Sequence, residues 1–99
     1  MIQVVWEFRV RPDQREAFEY YYGGAGHWAN LFRKSPAYVE TILARDVETP
    51  LRYLVTDVWE NAEAYRNFKG RFQDEYEQLD KTCEQFTLEE RCWGVFQIG

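Results

Sequence analysis

Two cysteines, one histidine, three prolines and few cations are what this 99-residue chain is short of. Cys83 and Cys92 have no second pair and no neighbouring histidine, so they match no zinc-ligand spacing. They read as buried free thiols rather than a disulfide. A single histidine, His27, with no supporting motif, leaves no Ser-His-Asp or Cys-His constellation to argue. A metal centre on one histidine would need several convergent carboxylates, so no metal site is expected. Lys and Arg number 12 against 17 Asp and Glu, a formal net charge of −5. The cations are scattered, with Arg33-Lys34 the only adjacent pair, which disfavours nucleic-acid binding. No apolar run approaches the roughly 20 residues needed to span a bilayer. The first residues, Met1 to Glu7, lack the basic start and small-residue cleavage site of a secretory signal, so a cytoplasmic location is expected. Gly23-Gly24-Ala25-Gly26 is no phosphate loop: it follows a helical segment rather than a strand and lacks the Lys-Ser/Thr ending. There is no repeat, low-complexity stretch or linker, and residues 1–99 read as one domain.

Aromatic residues, by contrast, are abundant. Four Trp, seven Tyr and seven Phe make up 18% of the chain. Each buries about 150–250 Å², so these rings form a bulky core, line a pocket or cover a partner surface.

Residues 2–11 alternate, with Ile2, Val4, Trp6, Phe8 and Val10 on one side and Gln3, Glu7, Arg9 and Arg11 on the other, which predicts a strand ended by Pro12. Asp13 followed by Glu16 suggests a capping box opening a helix that carries Ala17, Phe18, Tyr21 and Tyr22 and stops at Gly23. A second short helix is expected from His27 to Lys34, ended by Ser35-Pro36. Strands follow over 37–46 and 51–59, separated by a turn from Asp46 to Pro50. Asn61 is a good N-cap for a long helix whose apolar stripe runs through Ala64, Phe68, Phe72, Tyr76, Leu79 and Cys83. Gly70 is the place where that helix would kink. A last strand is predicted over 86–98.

This order is the ferredoxin-like β-α-β-β-α-β pattern, a four-stranded antiparallel sheet with helices on one face. The other face should then be polar in a monomer. Parity instead leaves apolar residues on both sides: Tyr53, Val55 and Trp59 oppose Leu54 and Val58, and Leu88, Cys92, Phe96 and Ile98 oppose Trp93 and Val95. So much apolar surface predicts a second copy across the sheet, a homodimer.

Three segments carry a family resemblance. They are Trp6-Glu7-Phe8-Arg9-Val10-Arg11-Pro12 leading into Glu16-Ala17-Phe18-Glu19, then Trp28-Ala29-Asn30-Leu31-Phe32-Arg33 before Pro36-Ala37-Tyr38, and Tyr53 to Tyr65 across the strand–helix junction at Trp59. With them the chain resembles the antibiotic biosynthesis monooxygenase domain family of dimeric α+β barrel proteins. The resemblance covers nearly the whole chain and implies a cavity between sheet and helices. It also implies oxygenation of aromatic substrates without metal or flavin, so no cofactor is expected. Haem-degrading relatives resemble this chain only at Trp59. Glu7 stands near their strand asparagine, and the helix after Ala62 contains no histidine.

The resemblance places Trp59 beside the cavity, where it either walls a ligand or serves as a packing pillar. His27, just after the glycine-rich break, is the candidate base or proton relay, or else a solvent-exposed helix start. Asn30 would orient a substrate oxygen. Trp28 is a second wall candidate, although its spacing from Leu31 and Phe32 suits a core position equally. Tyr20, Tyr21 and Tyr22 point about 100° apart on a helix, so they form no single site; Tyr21 is the pocket candidate among them. Glu7 either faces the cavity or makes a cross-strand ion pair. The expected function is a cofactor-independent monooxygenase for a small aromatic or quinol-like molecule. The alternatives are a dimeric module that binds a small ligand without catalysis, or a haem-binding relative.

Overall fold

The computed structural model describes residues 1–99. A four-stranded antiparallel sheet, in the order β2-β3-β1-β4, carries helices on one face, so the ferredoxin-like α+β architecture stands.

Strand β1, Ile2–Val10, is central, and Ile2, Val4, Phe8 and Val10 are buried beneath the helices. Pro12 does more than end it. Its fixed φ opens a 3₁₀ turn, Pro12–Gln14, and α1, Arg15–Tyr22, starts only afterwards with Gln14 as an N-cap that makes no side-chain bond. The expected capping box at Asp13 is therefore not formed. Helix α2, His27–Phe32, buries Trp28, Ala29, Leu31 and Phe32. At the elbow between the helices, a Cβ on Gly26 would lie 2.2 Å from the Tyr20 carbonyl oxygen, so only glycine fits there.

Strands β2, Tyr38–Arg45, and β3, Arg52–Trp59, form a hairpin. Its turn is held by Asp46, whose Oδ1 accepts from the backbone N–H of Glu48 and Thr49. Helix α3, Ala62–Arg71, begins at the expected cap, with Asn61 Oδ1 accepting from Ala64 N at 2.8 Å. The predicted long helix is divided, but at Phe72 rather than at Gly70. Phe72 leaves helical geometry (φ −111°, ψ 33°), and α4 then runs Gln73–Cys83.

Strand β4, Thr87–Gln97, pairs with β1 through two irregularities. One is a bulge at Trp93-Gly94, where Gly94 adopts φ 134°. The extra residue reverses the alternation expected for this strand. Cys92 pairs with Trp6 and Val95 with Val4, on the helix side, whereas Phe96 pairs with Gln3 on the open side. Trp93 joins Phe96 there, donating from Nε1 to Glu7 Oε1. The two cysteines are free; Cys83 is buried, but Cys92 is exposed, contrary to the expectation of two buried thiols.

No helix is long and apolar enough to cross a membrane.

Candidate functional site

The aromatic core leaves one cleft between the helices and the sheet. Trp6 and Phe8 of β1 form its floor with Val55 of β3, and Tyr22, Trp28, Phe32 and Tyr76 close over it from α1, α2 and α4. Its empty space of about 390 Å³ is mostly open mouth. The enclosed part is narrow, with space for about one or two waters. Of the rings that line it, Trp6 and Tyr76 are only half-buried.

Three carboxylates line this apolar space: Asp57 of β3, Asp80 of α4 and Glu90 of β4. Asp57 lies deepest, only 7% exposed. Thr41 Oγ1 donates to its Oδ1 at 2.7 Å. That bond uses the single threonine proton, so the 2.7 Å contact between Tyr38 OH and Thr41 Oγ1 has the tyrosine as donor. The other carboxylate oxygen has no protein partner. Burial pushes the Asp57 carboxyl up to about 6, against the hydrogen bond from Thr41. Such a group is charged at neutral pH, yet takes up a proton readily, as a general base should.

At the mouth, burial raises Asp80 and Glu90 too, and each is raised further by neighbouring carboxylates: Glu84 acts on both, and Asp80 on Glu90. Tyr22 is likewise raised, first by burial. No three His, Cys, Asp or Glu side chains converge closely enough to hold a metal ion.

Asp57 is the functional candidate that sequence reasoning passed over. It occupies the inward row of β3 with Tyr53, Val55 and Trp59, and an acid in an otherwise apolar period-two row is the signal that could have found it.

Of the six residues singled out from sequence, only Trp28 lines the cleft. Trp59 is completely buried behind it, with the rings of Phe32, Tyr38, Tyr65 and Phe68 centred at 5.5, 5.5, 5.6 and 5.3 Å. It is a packing pillar, and its Nε1, like that of Trp28, lacks a hydrogen-bond partner. His27 is exposed at the start of α2, its ring 4.2 Å from that of Tyr21 and 5.4 Å from that of Tyr20. Tyr21 packs on His27 and Phe86, while the next residue, Tyr22, turns about 100° further and enters the cleft. Asn30 is exposed and engaged. Its Oδ1 accepts from Arg33 Nη1 at 2.8 Å, while Arg33 Nη2 donates to Gly24 O at 2.6 Å, tying α2 to the glycine-rich elbow. Glu7 lies on the opposite sheet face and pairs with Arg52 Nε at 2.8 Å, the cross-strand ion pair rather than a cavity position.

The family profile described as antibiotic biosynthesis monooxygenase matches residues 1–78. No curated protein matches the chain by sequence. Among solved structures, the fold is similar to SnoaB, a cofactor-independent oxygenase from Streptomyces nogalater, at 18% identity and TM-score 0.75 over 98% of this chain and 91% of that one. A Deinococcus radiodurans protein described as a candidate antibiotic biosynthesis monooxygenase superimposes with TM-score 0.79 at 13% identity, over 100% and 93% of the two chains. A Nitrosomonas europaea protein described in the same way gives TM-score 0.71 at 14% identity, over 99% and 98%. These identities establish a shared fold.

Proposed function

From the premise that the chain belongs to the antibiotic biosynthesis monooxygenase family, we propose that it oxygenates a small phenolic or quinol-like aromatic without a cofactor, using Asp57 as the proton acceptor. The observation that carries this reading is a nearly buried carboxylate, one oxygen unpartnered, in a cleft walled by aromatic rings.

The chemistry follows from those groups. A ring held in the cleft presents its acidic proton to Asp57. Deprotonation makes the ring electron-rich enough to reduce O₂ directly. Oxygen adds to the ring carbon as a peroxide, which takes up a proton. The carbon's remaining hydrogen and the outer OH of the peroxide then leave as water, turning that carbon into C=O, so that one O₂ yields one carbonyl and one H₂O. Asp57 accepts the first proton and can return one to the peroxide. Thr41 and Tyr38 orient its carboxylate. His27 and Asn30, the residues that the sequence suggested for this work, lie outside the cleft, and Asp57 takes the role that His27 was expected to fill.

The test is oxygen uptake with a panel of hydroquinones, naphthohydroquinones and anthrones. For an accepted substrate, Asp57→Asn should lower kcat/KM by roughly 10²–10⁴-fold, the usual contribution of a positioned base, while His27→Ala changes it little. Unchanged turnover in Asp57→Asn would overturn the assignment. Binding of the panel without oxygen uptake would favour a non-catalytic ligand-binding module.

We further propose that the protein acts as a homodimer through the open sheet face and works in the cytoplasm, where its free thiols suit a reducing environment. The exposure of Ile42, Trp93 and Phe96 on that face supports the dimer.

A further inference from the structure

The charge of the cleft narrows its ligand. Three of the ten lining residues are acids and none is Lys, Arg or His. Lys69 is the nearby counter-charge; its Nζ lies over the Tyr76 ring at 5.0 Å, and its charge opposes the rise in proton affinity at Asp80. Since the acids do not converge to chelate a metal ion, the cation they suit is an organic one, a kind that aromatic rings such as those lining the cleft attract. Depth divides the acids. Asp57 is almost enclosed, with one unpartnered oxygen, whereas Asp80 and Glu90 stand at the more open end.

We propose that the cleft selects an aromatic amine: a phenolic ring whose hydroxyl reaches Asp57 and whose protonated amino group lies between Asp80 and Glu90. This deepens the oxygenase reading, because it names the substrate class of the same site, but the charge preference is measurable without turnover. The raised proton affinity of both groups is consistent with it: burial is the first cause, neighbouring carboxylates add to it (Glu84 at Asp80; Asp80 and Glu84 at Glu90), and a cation seated there relieves that repulsion. An anionic ring of the same shape adds a like charge to the cluster and is rejected.

Three near-isosteric phenols separate the possibilities: tyramine (cationic), 4-ethylphenol (neutral) and 4-hydroxyphenylacetate (anionic). Calorimetric titration of the whole protein at pH 7.5 should give tyramine about tenfold tighter binding than 4-ethylphenol, with 4-hydroxyphenylacetate weakest. The tyramine advantage should shrink as salt is raised. Asp80→Asn with Glu90→Gln should bring tyramine to the 4-ethylphenol value and leave 4-ethylphenol unchanged. Both side chains are partly exposed, so this variant should fold, which its circular dichroism checks. Glu90→Lys should shift the preference toward 4-hydroxyphenylacetate. Equal affinities, a preference for the anion, absence of binding by all three, or a tyramine advantage that survives the double substitution would each overturn the proposal. Oxygen uptake is scored separately. A tyramine preference without uptake by any bound phenol removes the oxygenase reading alone, whereas uptake with anionic quinols as good as with amines removes the charge preference alone.

Discussion

Burial lifts the Asp57 carboxyl from its ordinary 3.8 to about 6, and that shift has a consequence for stability. Between those values the folded chain binds a proton that the unfolded chain has released, so stability falls as pH rises through the window. Above pH 6 the full cost is present: about two pH units at 1.36 kcal/mol each, or ~3 kcal/mol. That is a large fraction of the 5–15 kcal/mol typical of a whole domain, and residues kept at such a cost are more often functional than structural. Asp57→Asn should therefore raise stability by ~1–3 kcal/mol at pH 7.5 while removing activity, with the gain shrinking toward zero near pH 4. Thermal denaturation at the two pH values checks this, and an equal melting shift at both would refute the assigned ionisation. The same residue marks where sequence reading fell short. Period two identified the inward row of β3, and Trp59 was legible as a pillar or a wall, but burial depth was not. Nothing local distinguishes an exposed His27 from a catalytic one, because the direction in which α2 presents its first residue depends on how the Gly26 elbow packs against the Tyr20 carbonyl.

At the scale of elements, the strands and helices were readable because each announces itself through periodicity and punctuation. The alternation of β1, the Pro12 stop and the Asn61 cap all hold in the fold. What failed was arithmetic across irregularities. The bulge at Trp93-Gly94 inserts one residue into β4, and every side chain beyond it changes face. Its sequence signal is a lone glycine inside a strand, a weak but interpretable mark. The φ of 134° at Gly94 is a region that side chains rarely adopt, and an added Cβ would have only ordinary contacts, the nearest being the Phe96 ring at 3.6 Å. Backbone strain rather than crowding is thus the obstacle. Gly94→Ala should cost about 1–3 kcal/mol, measurable as a lower urea midpoint at unchanged slope. An unchanged midpoint would mean that the bulge relaxes freely and that the facing of Trp93 and Phe96 is not fixed by Gly94.

The whole molecule measures 35 × 31 × 21 Å, and its open sheet face is the surface that a standard interface of ~800 Å² per partner would have to cover. On that face Ile42, Trp93 and Phe96 are 48%, 48% and 43% exposed, beside the Glu7–Arg52–Asp46 ion-pair network. Apolar anchors next to fixed charges suit a self-complementary contact, in which each copy supplies both. Light scattering at micromolar concentration should therefore give twice the chain mass, and the melting temperature should rise with protein concentration. Phe96→Asp should produce a monomer of unchanged circular dichroism, since Phe96 faces outward and the helix-side core does not depend on it. A wild-type chain of single mass at all concentrations would refute the dimer. The cleft lies on the helix side of the sheet, opposite that face, so the Phe96→Asp monomer should bind a phenol as well as the dimer does. Loss of binding on dissociation would instead mean that the second copy braces the sheet floor formed by Trp6, Phe8 and Val55.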